Sequence, residues 1–232
     1  MTMEEDKSYQ ELKWTDRPLY TTFNSQHEET PSSPPSLHLH TSQDQCGSPN
    51  KPARSPIPIH AESTALLVVD VQPEYWSNCS PVRKDFPHFP QNLTRLLSTC
   101  RARKTKIIWV RADYKYAHSP WLIQFSRLHG NTIPPEVPCD PLTDSVTWET
   151  FATPIGGEVI ITKKSWSSTS NTALMDCLKA WNIDTVLVCG LITSVCVQHS
   201  AFGIFEAGYR TILVTDCCAD RGRARHEAAL VF

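Results

Sequence analysis

From residue 65 onward the chain repeats one pattern: a short apolar run, a polar break, then apolar positions at helical spacing. The runs are Ala65–Val69, Lys106–Val110 (K-I-I-W-V), Val159–Thr162, Thr185–Cys189 and Thr211–Thr215. None alternates polar with apolar residues, so each predicts a strand covered on both faces, as in a parallel sheet. Between them, Pro90 opens a helix with Leu93, Leu96, Leu97 and Cys100 on one face. Leu174, Cys177, Leu178 and Trp181 form the stripe of another, with Ser170 or Asn171 as its cap. A third helix is expected to begin at Cys196 and run to about Ala207, stopped by Gly208. A last one begins near Arg223, and the pattern breaks off at Phe232, which reads as a shortened C-terminus. This rhythm is that of a three-layer α/β domain.

Two stretches depart from it. Residues 1–62 are rich in Ser, Pro, Thr, Gln and His and carry little apolar periodicity, so they read as a disordered tail ahead of a domain spanning 63–232. Trp14, Tyr20 and Phe23 are its candidates for local docking, and His38 and His40 read as solvated. The second departure is 111–154, long and irregular, with five prolines between Pro120 and Pro141. Such a loop is usually a lid or substrate wall. Its Trp121, Phe125, Trp148 and Phe151 either line an apolar pocket or hold the loop down.

Charge and composition narrow the partners. A net charge of -2 over 232 residues argues against nucleic acid. No apolar run reaches membrane-spanning length, and the acidic start M-T-M-E-E-D-K is not a signal peptide. Nine cysteines, several inside strand or helix patterns, fit reduced thiols in a cytoplasmic protein.

The chemistry gathers at strand ends. V-L-V-C-G-L-I-T-S-V-C-V at 186–197 is a strand, a tight turn and then Cys196 at a helix start. Unpaired N–H groups there are partly positive, lower a thiol's pKa and can hold an oxyanion. The other reading is a buried structural cysteine. Asp70 and Lys163 also follow strands, and Lys164 competes with Lys163 for its role. In a parallel sheet all three positions lie at one edge, where ligands bind. A carboxylate beside a thiol can act as general base, and an ammonium between them stabilises the thiolate.

D-V-Q-P-E-Y at 70–75, I-T-K-K-S-W-S-S-T-S-N-T at 161–172 and G-L-I-T-S-V-C-V at 190–197 closely resemble the isochorismatase-like cysteine hydrolases. The resemblance runs from about residue 63 to the end. It implies an α/β/α sandwich around a doubly wound, mostly parallel sheet of about six strands. It implies Asp70 as general base, Lys163 as stabilising cation and Cys196 as nucleophile. It also implies a cis peptide between Leu191 and Ile192, with the Ile192 and Cys196 N–H groups as oxyanion hole. Gln72, Tyr75, Trp166 and Thr193 are the expected substrate-binding residues. No cofactor is expected, since R-A-D-Y-K-Y-A-H after the second strand lacks the Asp-x-His pairing of metal-bearing nicotinamidases. The S-S-T-S segment at 167–170 replaces the family's usual Ser-Ala-Phe and alters one pocket wall. The expected function is a metal-free hydrolase cleaving a C–N bond of a small amide, ureido or carbamoyl compound, acting as a homo-oligomer. The alternatives are vinyl ether hydrolysis of the isochorismatase type, or a non-catalytic binding protein.

Overall fold

The structure is a computed structural model; it describes residues 21–23, 58–115, 119, 121–124 and 148–231. In chain order the elements are β1 (Thr21–Phe23), β2 (Thr64–Val69), α1 (Ser80–Asp85), α2 (Phe89–Ala102), β3 (Lys106–Ala112) and β4 (Val159–Lys163). There follow α3 (Thr172–Ala180), β5 (Thr185–Leu191), α4 (Gln198–Glu206), β6 (Arg210–Ala219) and α5 (Arg223–Leu230). The strands form one parallel sheet in the order β1-β6-β5-β2-β3-β4. From β2 the chain winds outward through β3 and β4, then crosses back to β5 on the other side of β2. With right-handed crossovers that reversal puts helices on both faces, the expected doubly wound sandwich.

The apolar runs become strands for the reason given by their pattern. Every residue of β2 and of β5 is buried. Leu174 and Leu178 of α3 are fully buried as well, each contributing about 1.5–3 kcal/mol by leaving water. Asn171, not Ser170, caps α3, its side chain accepting from Ala173 N–H.

Three differences from the pattern matter. β6 runs four residues past Thr215, because the strand bulges between Val188 and Gly190 of its neighbour and then resumes, pairing Cys218 with Gly190 and Ala219 with Leu191. Thr215 and Asp216 sit in that irregularity, and Asp216 is therefore not at the strand's end. Second, Thr21–Phe23, inside the stretch that reads as a tail, pairs with Ile212–Val214 and extends the sheet beyond β6. Third, Trp148 and Phe151 of the long loop are packing residues. Trp148 meets Trp109 edge-on at 5.2 Å, and Phe151 packs on Trp76 and Phe89. Phe125, His38 and His40 lie outside the described residues. No helix among the described residues is long and apolar enough to cross a membrane.

Candidate active site

The reversal in strand order brings β2 and β5 side by side, and their carboxyl ends carry Asp70 and the turn leading to Cys196. Gly190 makes this closeness possible. It pairs with Val69 at φ +121, and a Cβ there would collide with the Val69 backbone, reaching 2.7 Å from its nitrogen. Asp70 leaves the strand in the left-handed region, φ 49, which aspartate tolerates better than most residues. Its N–H is held by Val110 O at 2.8 Å.

After β5 the Leu191–Ile192 peptide is cis. Cys196 does not begin an α-helix. It lies in a wide π-helical turn, Thr193–Val197, and α4 starts only at Gln198. The reason is local. The N–H groups of Val195 and Val197 both bond Ile192 O. Asp220, fully buried just past β6, accepts from Ser194 N–H at 2.6 Å and from its neighbour Arg221 N–H at 2.7 Å. Ser200 ties the turn from the other side, donating to Cys196 O at 2.6 Å while accepting from Ser168 N–H at 3.0 Å. The S-S-T-S segment thus docks on α4 through Ser168.

Asp70, Lys163 and Cys196 meet. Lys163 Nζ lies 2.8 Å from Asp70 Oδ2 and 3.3 Å from Cys196 Sγ, with both members of the Asp70–Lys163 pair wholly buried. The contact is a buried ion pair at Oδ2, and Asp70 Oδ1 has no hydrogen-bond partner among the described residues. Lys163 also donates to Ser165 O at 3.0 Å and to the Tyr114 hydroxyl. Lys164 instead offers its backbone carbonyl to Trp121 Nε1, at 3.0 Å.

Burial dominates the titration of this cluster. It pushes Asp70 above the usual carboxylate range, against the pull of Lys163. Burial also works against the Lys163 ammonium, yet the charges of Asp70 and Cys196 leave it raised. The Cys196 thiol is pushed up to about 12 by burial, with Lys163 opposing and Asp70 adding to the rise. The lowered thiol expected from a helix start is therefore absent in the resting site. Desolvation outweighs the cation, and the proton rests on sulfur. A raised carboxylate beside it is suited to take that proton.

The four expected substrate contacts divide into two kinds. Gln72 and Thr193 have their polar groups engaged. Gln72 Oε1 accepts from Ala112 N–H at 2.7 Å and its amide nitrogen points to Ala112 O at 3.5 Å, clamping the loop after β2 against β3. Thr193 Oγ1 hydrogen-bonds His226 Nδ1 at 2.8 Å, and burial lowers that histidine's pKa. Tyr75 is 8% exposed, and its hydroxyl has no hydrogen-bond partner among the described residues. Trp166 stands half-buried in an aromatic chain, 5.3 Å from Trp121 and 5.2 Å from His199. Among the described residues no three His, Cys, Asp or Glu side chains are grouped to hold a metal; Asp113 faces Lys115 at 3.8 Å, and His118 lies outside those residues.

The sequence pattern did not reveal Tyr114, Asp220 or Ser200. Tyr114 follows β3 and Asp220 follows β6, the two strands that continue through polar residues past their apolar runs. Extending both strands by the parallel register of their neighbours would have exposed each.

The family model described as the isochorismatase domain matches residues 64–232. A maleamate amidohydrolase of Pseudomonas putida is 40% identical over 77 residues, covering 33% of this chain and 36% of that protein. Nicotinamidase 3 of Arabidopsis thaliana is 24% identical over 173 residues, 74% of this chain and 81% of the relative. The crystal structure of a cysteine hydrolase from Pseudomonas syringae pv. phaseolicola superposes with a TM-score of 0.60 at 27% identity, covering 74% of this chain and 78% of that one. The chain spans less than half the length of the two curated relatives matched at 40% and 34% identity, 36% and 47% respectively. With the family match covering most of its length, the chain belongs to the isochorismatase family.

Proposed function

We propose that this protein is a cysteine hydrolase that cleaves the C–N bond of a small amide, ureido or carbamoyl compound. One observation carries the reading: the buried Asp70 carboxylate and Cys196 thiol, which follow two neighbouring strands, lie 2.8 and 3.3 Å from the lysine nitrogen at the end of a third. The names of the maleamate amidohydrolase and nicotinamidase relatives support amide chemistry. In this mechanism Asp70 takes the thiol proton as sulfur attacks the carbonyl carbon. Lys163 keeps the buried charge balanced while the proton moves. The Ile192 and Cys196 N–H groups face the developing oxyanion. Asp70 then returns its proton to the departing nitrogen, and water hydrolyses the thioester with Asp70 again as base. Tyr75, whose hydroxyl has no partner among the described residues, binds a polar atom of the substrate, and Trp166 forms an aromatic wall. Gln72 and Thr193 act by holding the loops that carry base and nucleophile.

Ammonia release from a panel of primary amides, ureido acids and carbamoyl amines tests the proposal. Cys196→Ala is expected to abolish turnover of any active substrate. Near-normal ammonia release in that variant overturns the nucleophile; no ammonia from any of these compounds, with a vinyl ether cleaved equally by wild type and Cys196→Ala, favours vinyl ether hydrolysis, in which the base alone does the chemistry.

A further inference from the structure

Four adjacent strands, β4, β3, β2 and β5, each present one residue to the same buried point. Three are Lys163, Asp70 and Cys196. The fourth is Tyr114, from β3, which the proposed mechanism leaves unused. Its side chain is 5% exposed. Its hydroxyl lies 3.4 Å from Cys196 Sγ and 3.1 Å from Ser165 O, and it accepts from Lys163 Nζ. The ring packs edge-on against Trp121 at 5.1 Å and sits 4.7 Å from the Lys163 ammonium.

Hydrogen-bond arithmetic gives this hydroxyl a job. The Lys163 ammonium has three protons and four neighbouring acceptors: Asp70 Oδ2, Ser165 O, Tyr114 Oη and Cys196 Sγ. It cannot serve all four at once. The phenol has one proton and two acceptors in reach, Ser165 O and the sulfur. Ser165 O already accepts from Lys163 at 3.0 Å, so the phenol proton is free to leave it. A neutral thiol accepts weakly, whereas a thiolate is a strong acceptor.

We propose that Tyr114 is a fourth catalytic residue, whose O–H turns from Ser165 O to the Cys196 sulfur as the thiol proton passes to Asp70. The inference rests on the triad reading above. Only the S–H bond breaks and only an Asp70 O–H bond forms; the phenol keeps its proton and changes its acceptor. Burial and the Asp70 charge hold the Tyr114 phenol far above the usual tyrosine range, so it remains a donor at every working pH. Lys163 and Tyr114 then both face the sulfur as it turns anionic, from 3.3 and 3.4 Å.

The test needs no substrate. Alkylation of Cys196 by iodoacetamide is followed by peptide mass spectrometry from pH 6 to 9 in the full chain. Tyr114→Phe is expected to slow it about ten-fold at each pH below the thiol midpoint, the loss of one hydrogen bond to a charged group. Opening space beside the sulfur would instead speed it. Lys163→Met separates the two readings. If it fails to slow alkylation, the triad reading falls and this inference with it. If it slows alkylation while Tyr114→Phe leaves the rate unchanged, Tyr114 alone is overturned. Should Tyr114→Phe lose its cooperative melt, 3-fluorotyrosine at position 114 decides. This more acidic phenol is expected to raise the rate above wild type, and an unchanged rate overturns the proposal.

Discussion

β4 carries a charged cluster at each end, and the two are built in opposite ways. At its carboxyl end Lys163 meets Asp70 with both side chains wholly buried and Asp70 Oδ1 without a hydrogen-bond partner among the described residues. Before its first residue stands Glu158, whose side chain is 10% exposed and whose oxygens are saturated. Glu158 accepts from Arg101 Nε at 2.8 Å and Nη2 at 3.0 Å, from Trp109 Nε1 at 2.7 Å and from Ile155 N–H at 3.0 Å. Burial raises the pKa of both carboxylates, but at Glu158 the hydrogen bonds from Arg101, Ile155 and Trp109 prevail and the value is lowered. At Asp70 burial prevails. A carboxylate ringed by donors is fixed in its charged state and serves the fold. One held by a single buried cation, with burial prevailing over that pull, can change state, which is what proton transfer requires.

The comparison breaks first at Lys163. Lys163→Met is expected to remove turnover altogether and to cost about 3–5 kcal/mol of stability by stranding a buried charge. The double variant Asp70→Asn/Lys163→Met should regain most of that stability in denaturant unfolding while staying inactive. If the double variant is as unstable as the single one, the pair is structural after all. Gly190→Ala touches neither charge, yet it drives a Cβ into the Val69 backbone at a left-handed φ. It should cost about 2–4 kcal/mol and displace the elbow from the base. A normal melt and normal Cys196 reactivity would contradict the close approach of β5 to β2. Glu158→Gln is the mildest, about 1.5–3 kcal/mol from weakened charged hydrogen bonds, with reactivity at Cys196 unaltered. The sign of its pH dependence follows from its lowered value. Glu158 stabilises the fold above the ordinary glutamate value of 4.5, and this contribution fades as pH falls below that. Acid melts of wild type and Glu158→Gln should therefore draw together as pH falls below 4.5 and meet only below the lowered native value. Parallel curves down to pH 2 would remove Glu158 from the account.

Much of this frame was legible beforehand because buried parallel strands are unbroken apolar runs. A polar residue closing such a run stands at the sheet's working edge, which is how Asp70, Lys163 and the approach to Cys196 could be found. The same rule hid Tyr114 and Asp220. β3 continues through Arg111, whose Nε bonds Thr162 Oγ1, and β6 continues beyond Asp216, whose carbonyl accepts from Asn92. Polar groups satisfied in this manner do not end a strand, and nothing in a one-dimensional pattern tells them from those that do. The six-residue α1 was equally hidden, having only Val82 buried. β1 pairs through its backbone over three residues, too short for any period to register. The titration of Cys196 was also beyond the pattern, since it depends on how completely water is excluded.

The aromatic chain Tyr114–Trp121–Trp166–His199 gives the protein an optical handle. Trp121 is anchored by its indole nitrogen to Lys164 O, and Trp166 lies between Trp121 and an imidazole. A molecule settling against this row changes the surroundings of two indoles together, shifting their emission wavelength and their quenching by the neighbouring rings. Occupancy can then be followed by intrinsic fluorescence, and candidate compounds sorted by the light they move before any of them is shown to react.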